Sequence, residues 1–375
     1  MKFYALRSEI NRPISNVCST AKSGKSDSVL SKILFDVVNG EVHITANDGS
    51  KQLSARIDIS DLDSSEHCSF LVDAKKLQSI VKAAPEKASI TFDYKKNDDC
   101  CVVRYGRSSF KLKAVCPEGE FVYPKMTCSD IRSGFFVKPD DLHRQLSSCD
   151  YAMGKDDVRH YLNGMYIELS DGVVSYAASN GHVLAKARQE VLSKGDKTAV
   201  ILPHGSVRFI ESLTSLMGDE PVKVLFNHVT MKIESGDYVF VGTLIDGQYP
   251  DVDRVIPQTV LNRAKFNTKN LLSSVSRVSV TGASGILLEF AKNLVTIKSD
   301  TSDNEESVEE LDADYDGQAM SIKVSTDYLS RTLNALSNES DQVEVCFNDS
   351  NSAFLIEAFG IPAAIRTHVV MPMRM

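Results

Sequence analysis

The sequence lacks the features that mark membrane, secreted and metal-dependent proteins. No apolar run approaches the roughly 18 residues that a membrane-spanning helix needs, and the segment beginning Met1-Lys2-Phe3-Tyr4 has neither the apolar core nor the cleavage site of a signal peptide. The eight cysteines include no C-x-x-C pair that would indicate a zinc site or a redox dithiol. We therefore expect a cytoplasmic protein with reduced, mostly buried thiols and no bound metal or cofactor.

Catalytic motifs are missing as well. There is no G-x-x-x-x-G-K-[ST] phosphate loop, no H-E-x-x-H, no G-x-S-x-G and no dinucleotide fingerprint after a strand. The acidic pairs Asp98-Asp99 and Asp156-Asp157 are isolated, whereas two-metal polymerases and nucleases need clustered carboxylates. The sequence therefore favours a protein that binds partners without catalysing a reaction.

The charge balance limits how the chain can bind nucleic acid. Its 42 Lys and Arg residues stand against 50 Asp and Glu residues, a formal net charge of −8. Because non-specific affinity for DNA comes from neutralising phosphates, this balance disfavours a duplex bound on the outer surface. It is compatible with a local basic surface inside an acidic body.

The chain repeats a strand-helix pattern about every 130 residues. The first helix of each repeat is predicted over Ser8–Ser19, Pro139–Tyr151 and Thr268–Ser279, and the second over Ala74–Ala84, His204–Leu216 and Thr326–Leu336. Alternating stretches between the helices, such as 102–105 and 343–347, are typical of half-buried strands. We predict an α+β fold of three repeated domains, residues 1–129, 130–258 and 259–375, each with two helices on antiparallel sheet.

Three such units could form a bundle, a solenoid or an arc. For an arc, the spacing of packed helices limits the diameter of the hole that it can enclose. Six helices placed 8–10 Å apart on a circle leave about 18 Å between opposite axes, too little for a duplex roughly 20 Å across. Twelve helices leave about 35 Å, and subtracting a helix diameter of about 10 Å gives a hole that passes a duplex. A ring around DNA therefore needs two chains.

Four segments in this order carry a resemblance to a known family: Val158–Met165, Ser179–Ala185, Asp246–Asp251 followed by Arg254–Pro257, and Val369–Met375. Over its full length the chain resembles the β subunit of bacterial DNA polymerase III. The resemblance implies a DNA sliding clamp, a processivity factor that forms a head-to-tail homodimeric ring and binds double-stranded DNA regardless of sequence. It also implies a hydrophobic groove for peptides of the DNA polymerase III alpha subunit, the clamp loader and other proteins with a clamp-binding motif.

The resemblance assigns the residues of the groove position by position. The matching positions are Leu162, Ser179, Gly181, His182, Val183, Leu184, Pro250, Arg254, Val255, Tyr328, Val369, Val370, Met371, Pro372, Met373 and Arg374. Apolar walls and a methionine rim suit varied apolar anchors. Without the resemblance, the segment 369–371 is as well explained as a terminal strand, and His182 as a structural histidine.

This chain departs from the family at one edge of the groove. The family commonly has Asp-Gly-His-Arg-Leu where Asn180-Gly181-His182-Val183-Leu184 stands. We therefore expect a cation to be missing from that edge and the preference for partners to differ.

The resemblance also places a DNA-contacting set and a dimer interface. The DNA-contacting residues are Lys25, Lys75, Lys155, His160 and Tyr161. The interface residues are Arg107, Phe110, Leu112, Val278, Val280, Glu305 and Glu306. Opposite charge on the first and last units favours head-to-tail pairing. Solvated surface lysines and a solvated acidic hairpin are the alternatives, as is a monomeric peptide-binding scaffold that does not close on DNA.

Overall fold

A computed structural model describes residues 1–22, 28–63, 67–118, 122–300, 305–362 and 364–374. The chain divides into two compact units: unit 1 comprises residues 1–136 and 217–243, and unit 2 comprises residues 137–216 and 244–375. Unit 2 holds two of the three helix pairs, so the three-domain division at residues 129 and 258 stays a prediction. No helix of the described residues combines the length and apolarity that a membrane crossing requires.

The described residues form six α-helices and 26 strands. The helices are α1 (Arg7–Thr20), α2 (Ala74–Ala83), α3 (Pro139–Cys149), α4 (His204–Thr214), α5 (Thr268–Val278) and α6 (Thr326–Ser337). The strands are β1 (Lys2–Leu6), β2 (Lys32–Val38), β3 (Glu41–Asn47), β4 (Lys51–Ile57), β5 (Asp61–Leu62), β6 (Cys68–Asp73), β7 (Ser89–Lys95), β8 (Cys100–Tyr105), β9 (Ser108–Val115), β10 (Ser133–Val137), β11 (Gly164–Ser170), β12 (Val173–Ser179), β13 (Val183–Glu190), β14 (Leu192–Gly195), β15 (Thr198–Pro203), β16 (Val222–Phe226), β17 (Thr230–Ser235), β18 (Tyr238–Thr243), β19 (Asn262–Asn267), β20 (Gly285–Ala291), β21 (Leu294–Asp300), β22 (Glu306–Asp312), β23 (Met320–Ser325), β24 (Gln342–Phe347), β25 (Phe354–Ala358) and β26 (Arg366–Val370).

All six predicted helices are confirmed, with ends shifted by at most two residues. Local chemistry explains where two of them begin, because the Asp73 side chain accepts the Lys76 N–H at 2.9 Å and the Asn267 side chain accepts the Asn270 N–H at 3.0 Å. The helices pack in pairs, α1 with α2, α3 with α4 and α5 with α6. The repeat read from the sequence is therefore a repeat of helix pairs.

The strands pair antiparallel, as the α+β prediction requires. In unit 1 the order is β10-β16-β17-β18-β4-β3-β2-β6-β9-β8-β7-β1-β5. Unit 2 contains an eight-stranded sheet, β15-β11-β12-β13-β26-β25-β24-β19, and a four-stranded sheet, β22-β21-β20-β23. Aromatic rings fill both cores, for example Phe35 stacked on Phe70 at 4.8 Å and Phe290 against Phe347 at 4.5 Å. The eight-stranded sheet positions the candidate site.

A buried histidine on β26 makes the stability of unit 2 depend on pH. His368 is 1% exposed, and its Nδ1 lies 2.9 Å from the hydroxyl of Tyr151. Burial raises the pKa of Tyr151, so the hydroxyl is the donor, and burial lowers the pKa of His368 to about 3. The folded protein therefore keeps this imidazole neutral.

We expect the free energy of unfolding to fall as the pH falls below about 6.5, where the histidine of the unfolded chain binds a proton that the folded chain cannot accept. The loss attributable to His368 is about 2 kcal/mol at pH 5 relative to pH 7.5. Urea unfolding of the wild type and of His368→Asn at both pH values measures it. Equal losses in the two proteins would contradict this origin.

Candidate functional site

The candidate site begins at the tight loop between β12 and β13. Asn180 Oδ1 accepts the N–H groups of His182 and Val183 at 2.9 and 3.0 Å, and Ser179 Oγ donates to the Val183 carbonyl at 2.8 Å. Gly181 has φ +90°, a conformation that side chains rarely adopt. An amide oxygen thus closes this loop as a carboxylate would, so Asn180 preserves the loop despite departing from the family.

An arginine lies against this loop. Arg159 Nε and Nη2 donate to the two carboxylate oxygens of Asp157 at 3.0 and 2.8 Å, and Nη2 donates to the Asn180 carbonyl at 3.1 Å. A Cβ on Gly181 would lie 3.0 Å from Arg159 Nη2. The hydrogen bonds from Arg159 lower the pKa of Asp157 to about 2, so the pair is ionised at neutral pH. The Asn180 carbonyl of the loop thus holds the guanidinium by a hydrogen bond, and the lack of a side chain at Gly181 leaves room for it.

The C-terminal segment runs alongside the same loop. Val183 pairs with Val370 in the β13–β26 ladder, and the Met371 N–H donates to the His182 carbonyl at 2.8 Å. The rings of His182 and Tyr328 stack at 5.6 Å. Sequence positions almost 190 residues apart therefore form one edge of the site.

The segment between β18 and β19 contributes to the floor of the site. Tyr249 is buried, and its hydroxyl accepts the Ser179 N–H at 2.9 Å. Tyr249 and Val252 belong to an apolar cluster with Leu162, Leu184 and Val369. This cluster forms an apolar base for the site.

These elements enclose a cavity of about 240 Å³, which we call the groove. It is lined by Arg159, Tyr161, Leu162, Ser179, Gly181, His182, Val183, Leu184, Pro250, Asp251, Val252, Val255, Val369 and Met371. It is smaller than the roughly 300 Å³ at which drug-sized ligand pockets begin. Its size and apolar lining suit one or two side chains of a peptide held by a few polar groups at the rim.

Ten of the predicted groove residues line this cavity, and the other six lie outside its lining. Tyr328 borders it through the stack on His182, and Arg254 is paired with Asp251 at 3.0 Å. Val370 is buried within β26, and the Met373 N–H donates to the Lys323 carbonyl at 2.7 Å. Pro372 and Arg374 follow the same terminal segment.

The structure adds groove residues that the sequence analysis did not predict. Val183 carries no charge, and the cation beside this loop is Arg159, which lies in the segment Val158–Met165 that carries the resemblance. That this edge has one cation fewer than the family commonly has stays a prediction. Arg159, Asp251 and Val252 were not predicted to line the groove, although all three fall within or beside the segments that carry the family resemblance. Tyr161, predicted to contact DNA, also lines the groove.

The residues predicted to contact DNA are accessible where the structure describes them. Lys75 is exposed in the first turn of α2, Lys155 and His160 are exposed after α3, and Tyr161 is half-buried. Lys25 lies outside the described residues. Basic charge is uneven along the helices, because α3 begins with Asp140 and Asp141. Contact with phosphates should accordingly be weak and sensitive to salt.

Two strand edges carry the predicted interface residues. Among the described residues, 108–113 of β9 pair only with β8, since only Ala114 and Val115 reach β6, and β22 pairs only with β21. Arg107 is exposed at the β8–β9 turn, while Glu305 and Glu306 are exposed at the start of β22. Unpaired edges of this kind are templates for pairing with another chain.

The apolar residues predicted for the interface differ in how far they are buried. Phe110 is half-buried against the ring of Tyr105 at 5.5 Å, and Leu112 is buried. Val278 is 1% exposed and so belongs to the core of its own chain, whereas Val280 is 85% exposed. Of the two valines, only Val280 is available to a partner, which corrects the prediction for Val278.

One group of three potential metal ligands occurs among the described residues, at Glu344, Cys346 and Glu357. The Arg263 guanidinium already binds all three, with Nη1 at 2.9 Å from Glu344, 3.3 Å from Cys346 and 3.3 Å from Glu357. This arginine occupies the position that a cation would take, so the group is an ion-pair network.

Comparison with known proteins gives one consistent result along the chain. Residues 1–126, 136–251 and 253–374 match the family models of the N-terminal, central and C-terminal domains of the DNA polymerase III beta subunit. The three matches follow in chain order and leave only short gaps. The repeat found in the sequence therefore corresponds to three domains of one family.

Curated relatives and solved structures match this chain over its full length. The beta sliding clamps of Haemophilus influenzae and Escherichia coli are each 28% identical, with all of this chain and all of each relative covered. A crystal structure of the DNA polymerase sliding clamp from Pseudomonas aeruginosa superposes with a TM-score of 0.93 at 26% identity, again with complete coverage of both chains.

Proposed function

The chain belongs to the DNA polymerase III beta subunit family, and we propose that two copies close head to tail into a sliding clamp around double-stranded DNA. The observation that carries this proposal is the threefold repeat of a helix pair on antiparallel sheet, matched along the chain by three consecutive domains of the family. We place the domain boundaries near residues 129 and 258. Two chains supply twelve helices, which is the number that leaves room for a duplex.

In this proposal the protein holds DNA by its topology more than by its charge. Exposed Lys75, Lys155 and His160 contact phosphates as the duplex passes through the hole. Lysine ammonium groups are point charges without a fixed fork, so they suit a contact that moves along the backbone and reads no bases. The net charge of −8 fits a ring whose outer wall does not bind DNA.

The groove is the proposed docking site for partner peptides, including those of the DNA polymerase III alpha subunit and the clamp loader. An apolar anchor entering the cavity would contact Leu162, Val183 and Val369, and the Met371 thioether can adapt to its shape. Arg159 supplies a cation at the rim for an acidic or carbonyl group of the peptide. We infer a cytoplasmic, non-catalytic accessory subunit that tethers enzymes to DNA.

Closure of the ring is proposed to occur between β9 of one chain and β22 of its partner. Lys111 and Lys113 are exposed on β9, and Glu306 and Glu310 are exposed on β22. Each strand has an unpaired edge among the described residues, so backbone pairing can continue the sheet across the interface. Opposite charges align the unlike edges and oppose pairing of like edges.

Topological retention tests the proposed function. Protein loaded onto a nicked circular plasmid and freed of excess by gel filtration is expected to remain bound, and to be released when a single-cutting nuclease linearises the plasmid. A plasmid without the cleavage site, treated with the same nuclease, is the control and should keep its protein. Retention on linear DNA with free ends would show that the protein does not encircle the duplex.

A further inference from the structure

Unit 2 contains a cavity of about 350 Å³ beside the groove, which we call the side cavity. Its lining comes from β13, β19, β25 and β26 and from the segment between β18 and β19, which also borders the groove. No residue lines both cavities. The docking of an apolar anchor in the groove therefore leaves the side cavity without an assigned role.

A short 3₁₀ helix, Val252–Val255, forms the wall between the two cavities. Residues three apart share a face of such a helix, and its first and last residues both line the groove. Asp253 and Ile256, which are also three apart, line the side cavity. Lys186 Nζ donates to Asp253 Oδ1 at 2.5 Å and so ties this wall to β13. A peptide that leaves the groove thus needs to cross only one short helix to reach the side cavity.

The sheet face beneath the wall changes from apolar to charged. Side chains alternate along a strand, so Leu184, Lys186 and Arg188 of β13 lie on one face. Leu184 lines the groove, and the other two line the side cavity. On β26, Val369 lines the groove, and Thr367, which pairs with Lys186, lines the side cavity. The four residues from Leu184 to Arg188 span about 13 Å of strand.

The free charge of the side cavity is positive. The ion pair at the wall is neutral in itself, and Arg188 is exposed and has no ion-pair partner among the described residues. The side chain of Arg263 is 52% exposed and binds Glu344 and Glu357, which are 22% and 13% exposed, through Nη1 alone. The groups that reach solvent are thus two guanidiniums and a carboxylate that a lysine already neutralises.

We propose that the side cavity binds an acidic stretch of the same partner peptide whose apolar anchor occupies the groove. The inference rests on the proposed function of the groove. A peptide carboxylate can accept hydrogen bonds from Arg188 and from the Nε and Nη2 groups of Arg263. In an extended peptide, the span along β13 places this carboxylate about four to six residues from the anchor. Charge beside the anchor then distinguishes one partner from another.

Peptides that differ only in the charge of this flank test the inference. The probe is a fluorescein-labelled peptide with the clamp-binding motif of the DNA polymerase III alpha subunit, extended by a short Gly-Ser spacer and an Asp, Asn or Lys triplet. The extension is placed at each end in turn, and fluorescence anisotropy measures binding to the full chain. At one end, the Asp flank should bind about three- to tenfold tighter than the Asn flank, and the Lys flank more weakly. High salt should reduce these differences.

Charge reversal in the protein identifies the group that reads the flank. Arg188→Glu should remove the preference for the Asp flank and favour the Lys flank. Lys194→Glu is the matched control and should keep the preference, because Lys194 is exposed in the same unit but lines neither cavity. Equal binding of Asp and Asn flanks at both ends, or an Arg188→Glu protein that keeps the preference, overturns this inference while the groove stands. If none of the peptides binds, the groove assignment fails and this inference with it.

Discussion

Deleting residues 371–375 is expected to abolish stimulation of the partner polymerase while leaving the dimer intact. Met371 lines the groove at 40% exposure and is fixed there by the bond from its N–H to the His182 carbonyl. The truncation removes this rim but retains Val369 and Val370, which are buried in β26. Primer extension on a primed circular template, with the polymerase and clamp loader of the same organism, measures the loss, and light scattering measures the dimer.

Point variants make the assignment of the groove sharper than the deletion alone. Met371→Asp and Val255→Asp each place a charge at the apolar lining. Each should weaken polymerase binding by about 10- to 100-fold, which corresponds to losing the free energy gained by burying one apolar side chain. Leu192→Asp is the matched control, since Leu192 is exposed in the same unit but does not line the cavity. Full stimulation by the truncated protein would remove the groove assignment.

Periodicity predicted the helices well because each helix buries one face. Leu77 and Val81 of α2 and Leu271 and Val275 of α5 stand four residues apart and are buried, so the 3.6-residue pattern is visible in the sequence. Strand order is not visible in this way. The pairing of β13 with β26 joins residues far apart in the chain, and no local pattern specifies that choice.

For the groove as well, the sequence predicted some residues and missed others. The resemblance located Leu162, His182 and Val369, because these residues fall in segments shared with the family. Arg159 falls in the same shared segment as Leu162 but was not predicted to line the groove, and its bonds to Asp157 and to the Asn180 carbonyl are contacts between side chain and loop that the sequence does not display. Since Arg159 belongs to a segment that carries the resemblance, it does not replace the cation expected to be missing at position 183.

Reversing the charge of one strand edge is expected to separate the two chains of the ring. In Glu306→Lys/Glu310→Lys, a basic β22 would face the exposed Lys111 and Lys113 of the partner at both interfaces. Like charges brought together at an interface cost several kcal/mol, so the dimer should weaken at least roughly 100-fold. Sedimentation at micromolar concentration should then show a monomer, and protein loaded on circular DNA should be lost.

The complementary variant decides whether the pairing is head to tail. Lys111→Glu/Lys113→Glu should also be monomeric, because its acidic β9 faces an acidic β22. An equimolar mixture of the two variants should form a heterodimer, since each interface then joins a basic edge to an acidic one, and the fourfold variant should dimerise like the wild type. If both double variants stay dimeric, the ring does not close through β9 and β22. If the mixture stays monomeric, the charges on these two edges do not face each other.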